Sequence, residues 1–235
     1  MSTLSVDERA ALAPYAARAS WPTGFQIYER GTAADGLFVV LSGCVALRSK
    51  VRTGRAFVPW VATPGETFGA EGLAPNGVYV TDARADETPD TLYVSSAKLR
   101  AFVREQPTHA LAVIGQVMAE RTVLLDRLRE VTTLSVEQRL LCAIQRLGSY
   151  EGYHDGTGRI ELSNARYRLL CELVGATRES VSLVMGKLVG ERLAERDGTT
   201  VFITPTTRLL ERLGSDDVLV GAAAQSSSFD TPLQA

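Results

Sequence analysis

The sequence is poor in the residues that hold metals, haem or disulfides. Its 235 residues include three cysteines and two histidines. Cys44, Cys142 and Cys171 are an odd number and no pair has metal-ligand spacing, so neither a disulfide framework nor a zinc site is indicated. All three are expected to be reduced, and no metal or cofactor is expected. Long hydrophobic runs are also missing. The longest mainly apolar stretch, residues 37–47, is interrupted by Ser42 and Gly43. It falls far short of the roughly 20 residues a bilayer span needs, so no membrane role is expected. The N-terminus lacks a basic segment followed by an apolar core, which leads to the expectation of a cytoplasmic protein. Nor is there a basic excess: Lys+Arg 25 against Asp+Glu 27 leaves −2. A nucleic-acid surface, if present, must therefore be local.

What the sequence does hold is ordinary globular material, 45% hydrophobic and 22% charged, long enough for two domains. Between about Trp21 and Ser96, short β-branched or aromatic runs (25–28, 37–41, 44–47, 57–61, 78–80, 92–94) recur with turn residues between them. That spacing predicts an all-β sandwich or barrel. Gly31, Gly43, Gly65 and Gly69 fall at its joints. A short helix is predicted before it, from Val6 to Arg18.

Beyond Lys98 the period changes to about 3.6. Ala110, Ile114, Val117, Arg121, Leu124, Leu128 and Val131 step by fours and threes, a heptad seam. A helix over about 105–134 with such a seam predicts self-association, the alternative being a long helix packed on its own domain. Arg121 within the seam would have to snorkel or pair with Glu120 or Asp126. A second helical block follows Ser135, a candidate cap, and carries Leu140, Leu141, Ile144 and Leu147 on one face. Residues 159–163 read as a short strand. Helices over 165–174 and 178–190 are joined by Gly175-Ala176-Thr177. Asp197-Gly198 then sits between strand-like flanks over 193–203, a hairpin signal. Helix, short glycine turn, helix and hairpin make a winged helix-turn-helix. A last helical turn is expected over 207–213 and a mobile tail over 214–235.

A recognition helix presents its N-terminal residues to base edges. Thr177 suits the cap and Glu179 the positive end of the helix dipole, but Arg178 has no local explanation there. Arg178 can donate two bonds to guanine and Glu179 can accept from cytosine. Thr177, Ser180, Ser182, Lys187, Arg196 and Thr199 complete the expected DNA-contacting set, chiefly on the phosphate backbone. From Asn164 to Leu213, eight bases stand against six acids, so net +2 predicts a moderate salt dependence.

Together the two halves look like the cyclic-AMP receptor protein / fumarate-nitrate regulator family of bacterial transcription factors, over about Trp21 to Ile203. The resemblance rests on Gly24-Phe-Gln-Ile-Tyr28-Glu-Arg-Gly31, Leu37-Phe-Val-Val-Leu-Ser-Gly43, Pro64-Gly65-Glu66-Thr67-Phe68-Gly69, the long helix, and Val174-Gly175-Ala-Thr-Arg178-Glu179-Ser180-Val181. It implies an α+β protein. Its parts are an N-terminal β jelly-roll effector domain (1–104), a dimerisation helix (105–134, seam at Ile114, Val117, Arg121, Leu124, Leu128 and Val131), a C-terminal winged helix-turn-helix (135–213) and the tail. It also implies that Arg178 and Glu179 contact a G·C step. Leu183 stands where the family often has a further arginine, so the preferred operator should differ.

The effector pocket implied by the resemblance is degenerate. It comprises Gly69, Ala70, Glu71, Tyr79, Val80, Arg84, Leu124 and Leu125. Family members that hold cyclic AMP resemble one another in a Phe-Gly-Glu run and an Arg clamp for the cyclic phosphate. Here Phe68-Gly69-Ala70-Glu71 puts the acid one position late, the clamp falls at Tyr79-Val80, and the adenine-reading pair falls at Leu124-Leu125. Arg84 lies four or five residues too far on. An anionic phosphate without a charged donor is strongly disfavoured. Iron–sulfur sensing lacks its cysteines, and neither His109 nor His154 lies on the β domain to ligate haem. The expected function is a homodimeric, sequence-specific regulator of double-stranded DNA operators that is not an enzyme and is not controlled by cyclic AMP. Its effector is unknown and RNA polymerase is an open further partner. The alternative is a ligand-sensing protein-interaction module whose winged helix does not read DNA.

Overall fold

In the computed structural model, residues 3–50, 56–204 and 209 are described. The chain divides into two compact units between Leu125 and Asp126. The first holds helix α1 (Val6–Leu12) and strands β1 (Ala17–Ser20), β2 (Gln26–Tyr28), β3 (Gly36–Lys50), β4 (Ala56–Ala62), β5 (Thr67–Phe68) and β6 (Asp82–Ser95). Helix α2 (Ser96–Glu105) and the first part of α3 (Pro107–Thr133) follow. The strands form one antiparallel sheet in the order β1-β6-β3-β4, with β2 also on β6 and β5 also on β3.

Strand β3 shows how this sheet separates two cores. Successive side chains of a strand point to opposite faces. Phe38 and Val40 therefore join Tyr28, Phe68 and Tyr79 on one side. Leu37 and Val39 join Leu12, Phe102 and Val113, from the helices, on the other.

The second unit contains the end of α3, then α4 (Val136–Gly148), β7 (Ile160–Leu162), α5 (Asn164–Val174), α6 (Arg178–Gly190), β8 (Ala194–Asp197) and β9 (Thr200–Ile203). The last two strands and β7 form a small antiparallel sheet in the order β7-β9-β8. Helix α4 begins with a capping box: Ser135 Oγ accepts from the Gln138 N–H, and the Gln138 side chain accepts in return from the Ser135 N–H. Leu140, Leu141, Ile144 and Leu147 are all buried, as their spacing predicts.

The α+β architecture is the one the sequence predicts, but several elements differ. The helix expected from Val6 to Arg18 ends at Leu12, because Pro14 cannot continue it, and Arg18 lies on β1 beside Leu92. The runs at 37–41 and 44–47 belong to the single strand β3, whose register shifts around Ser42 and Cys44. Residues 78–80 are not a strand; only one bridge, Ala33 to Val78, forms there. The helix expected over 105–134 starts at Pro107, since Gln106 leaves helical geometry ahead of the proline, and Glu105 closes α2. The expected turn at 207–213, Leu209 apart, and the tail at 214–235 lie outside the described residues.

Candidate nucleic-acid interface and effector pocket

The turn between α5 and α6 is built by two residues. Gly175 ends α5 in the left-handed region (φ 65°), and its N–H donates to the Cys171 carbonyl. A side chain at that φ would be strained. Thr177 then caps α6: its Oγ1 accepts from the Ser180 N–H at 3.2 Å and lies 2.9 Å from Ser180 Oγ. Val181, Val184, Met185 and Leu188 are buried and fix the rotation of α6.

That rotation leaves Arg178, Glu179, Leu183, Gly186 and Lys187 exposed, a stripe along one side of the helix. Leu183 is 70% exposed, although it is a large apolar residue in the middle of the element. Lys187 stands 3.8 Å from Glu137 of α4. Arg196 and Thr199 are exposed on β8 and at the β8–β9 turn. Ser182 departs from this surface, for its hydroxyl lies 3.2 Å from Tyr167 Oη of α5. Ser180 is half-buried against the cap. Two exposed features were missed in the sequence. Arg168 stands on α5, and Gly186 has open space where a Cβ would sit. Both were legible only once helix rotation was known.

In the first unit, Gly69 and Tyr79 of the sequence-predicted pocket lie against a packed aromatic interior. Tyr79 stacks on Tyr28 with ring centroids 3.6 Å apart, and Phe38 stacks on Phe68 at 4.8 Å. Gly69 is in the left-handed region (φ 75°), and a Cβ there would lie 3.2 Å from the rings of both Phe38 and Tyr79. Ala70 and Glu71 follow in a 3-10 turn. Glu71 Oε1 accepts from the Val80 N–H at 3.2 Å, so a carboxylate engages the segment where the resemblance places a cationic clamp. Arg84 is exposed on β6 and donates to the Gly24 carbonyl at 2.9 Å. Leu124 and Leu125 are exposed on α3.

Two further acids have partners that differ from or go beyond what the sequence indicates. Glu66 is buried; its carboxylate accepts from the Thr63 N–H (2.8 Å) and Oγ1 (3.1 Å), and burial pushes its pKa up. Glu120, on α3, accepts from Thr67 Oγ1. Burial, with the nearby Glu66 and Glu71 charges, raises its pKa from 4.5 to about 8. Glu120 is thus turned to β5, and Arg121 is exposed beside it.

The seam residues divide. Ala110 is buried in the helix-side core and Val117 packs partly against it. Ile114, Leu124, Leu128 and Val131 are 41–61% exposed, and Leu111, Met118 and Leu125 extend the same apolar surface. Cys142 and Cys171 are buried, and burial lifts each thiol to about 11. Cys44 is buried on β3, its Sγ 3.8 Å from Asp86.

A cyclic nucleotide-binding domain family matches residues 18–106. The CRP-like cAMP-activated global transcriptional regulator of Mycobacterium tuberculosis is 24% identical over 197 residues, covering 82% of this chain and 86% of that protein. The cyclic AMP receptor protein of Thermus thermophilus is 29% identical over 202 residues, covering 84% and 88%. Among solved structures, the c-di-GMP responsive global regulator CLP of Xanthomonas campestris superposes with a TM-score of 0.72 at 20% identity, over 86% of this chain and all of that one. The chain is similar over more than four fifths of its length to CRP-type transcriptional regulators, and its residues 18–106 match a cyclic nucleotide-binding domain. A second CRP/FNR structure, from Thermus thermophilus, has the same TM-score at 21% identity and covers 85% of this chain and 99% of its own. No helix of the described residues is long and apolar enough to cross a membrane. Among the described residues no cluster of three or more His, Cys, Asp or Glu is arranged to hold a metal.

Proposed function

We propose that this protein is a CRP/FNR regulator that acts as a homodimer on a palindromic operator, reading each half-site with α6, and that cyclic AMP does not control it. The observation that carries the first part is the exposed stripe of α6, opening at the Thr177 cap with Arg178 and Glu179 in solvent. An exposed arginine at the positive end of a helix is locally unfavourable and gains its purpose from a guanine edge or phosphate. Leu183, Lys187, Arg196 and Thr199 extend the DNA-facing set. Ser182, bonded to Tyr167, is better read as holding α6 on α5. The exposed apolar residues of α3 support the dimer, since monomers rarely expose so many large apolar side chains along one helix. Two subunits related by a two-fold axis would place their recognition helices about 34 Å apart, one turn of duplex.

The second part rests on charge. Glu66, Glu71 and Glu120 lie near one another, Glu71 is bonded to Val80, and Arg84 is engaged with Gly24. A cyclic phosphate would meet acidic side chains and aromatic rings, with no free cation among the described pocket residues to receive it, a loss of several kcal/mol. No catalytic step is assigned to the protein. RNA polymerase is the natural further partner if the regulator activates.

Selection of duplexes from a randomised pool tests the reading. The wild type should retrieve a palindrome. Arg178→Ala should lose about 1–3 kcal/mol per half-site and relax the sequence preference at one position. Calorimetric titration with cyclic AMP should give no heat of binding and leave operator affinity unchanged. Retrieval of no duplex, together with affinity that ignores salt, would favour the protein-interaction module instead.

A further inference from the structure

The last two turns of α3 belong to the same compact unit as the winged helix-turn-helix, and their two sides differ sharply. Leu128 and Val131 are exposed on the seam. Arg127 and Glu130, one residue away from each, are only 2% and 4% exposed. Arg127 donates through one arm to Glu130 and through the other to the carbonyl of Leu173. Glu130 also accepts from both arms of Arg146 on α4, one of them at 3.0 Å. Leu173 is the penultimate residue of α5 and carries one of the terminal carbonyls that lack an intrahelical donor. Five residues further on stands Arg178.

A buried ion network gains little stability over well-packed apolar residues of the same volume, so its presence calls for another reason. A guanidinium fork is satisfied in only one relative placement of its acceptors. Here those acceptors sit on the seam helix and on the end of α5, the element that leads into the recognition helix. We propose that Arg127 is a positioning residue, fixing α6 relative to the dimer seam so that both copies of α6 meet successive grooves without reorganisation. This rests on the reading of the protein as a dimer that binds a palindrome.

The test compares two probes: the palindromic duplex selected by the wild type from a randomised pool, and the same duplex with one half scrambled. Arg127→Met with Glu130→Leu removes the network without leaving an unpaired buried charge beside α5. It should weaken binding to the palindrome about tenfold or more, leave the half-site affinity within about twofold, and leave the dimer mass unchanged. If that double variant does not fold, Arg127→Lys decides. It keeps the charge beside Glu130 but not the two-armed reach to Leu173, and should lower the palindrome-to-half-site ratio about threefold or more. A ratio equal to that of the wild type, including equal losses on both probes, overturns the inference and reduces Arg127 to a packing role. A wild-type protein that retrieves no palindrome overturns the functional reading beneath it.

Discussion

Two acids, one half-buried in the β-rich unit and one buried in the second unit, have opposite surroundings. Glu120 in the β-rich unit faces Thr67, Glu66 and Glu71, with no cation among the groups that set its titration, and its pKa rises to about 8. Glu130 in the winged helix-turn-helix unit faces Arg127 and Arg146. Burial alone would raise its pKa, but the bonds and charges of the two guanidiniums carry it below its ordinary value. One carboxyl is neutralised by a proton and the other by arginine. The two acids should therefore make contributions to stability that change with pH in opposite directions.

The largest effect should come from disturbing the arginine-neutralised acid. Glu130→Ala leaves Arg127 buried without its carboxylate and should destabilise the winged helix-turn-helix unit by about 3–5 kcal/mol, measured by denaturant unfolding. Much of the loss should return when Arg127→Met is added, because no buried charge is then left unpaired.

The proton-neutralised acid should respond with the opposite sign. The folded state holds a proton on Glu120 that the unfolded state releases above its ordinary 4.5. That contribution to stability is full below 4.5 and is lost as pH rises towards about 8. Glu120→Gln should flatten this slope and stabilise the β-rich unit at pH 8–9 by on the order of 2 kcal/mol. Calorimetric melting at pH 5, 7 and 9 reads it directly, and a variant with the wild-type slope would show that Glu120 is not the titrating group. Glu130, with its depressed pKa, contributes stability above its ordinary value that is lost as pH falls through the folded value.

A smaller change sharpens the contrast from outside either network. Ser135→Ala removes half of the α4 capping box and should cost about 1 kcal/mol in thermal unfolding, with no dependence on pH between 6 and 9.

What was legible in the sequence follows from locality. The Thr177 cap, the Gly175 turn and the Ser135 cap are short-range features with fixed chemistry, and each lies where its residues indicate. The exposed stripe of α6 was legible in part: Arg178, Glu179, Leu183 and Lys187 are exposed, whereas Ser182 is turned to Tyr167 and Gly186 was missed. Pairing across the sheet was less legible. Gly43, with φ 67°, looks like a break between strands, yet it is absorbed as an irregularity within β3 because β6 continues past it. Val78-Tyr79-Val80 has strand-forming residues but only a single bridge partner. The buried charges were least legible, for a charged residue on an amphipathic helix is ordinarily solvated. Nothing local in the sequence tells Arg127 from the exposed Arg129, and Glu120 read as a partner for Arg121 until tertiary packing turned it to Thr67.

The most direct test of the account is the mass and salt dependence of the complex with a selected palindromic duplex, measured by sedimentation. Two chains per duplex are predicted, with affinity falling as salt rises and falling further on Arg178→Ala. One chain per duplex, or two chains whose affinity Arg178→Ala leaves intact, would contradict the claim that paired copies of α6 read the DNA.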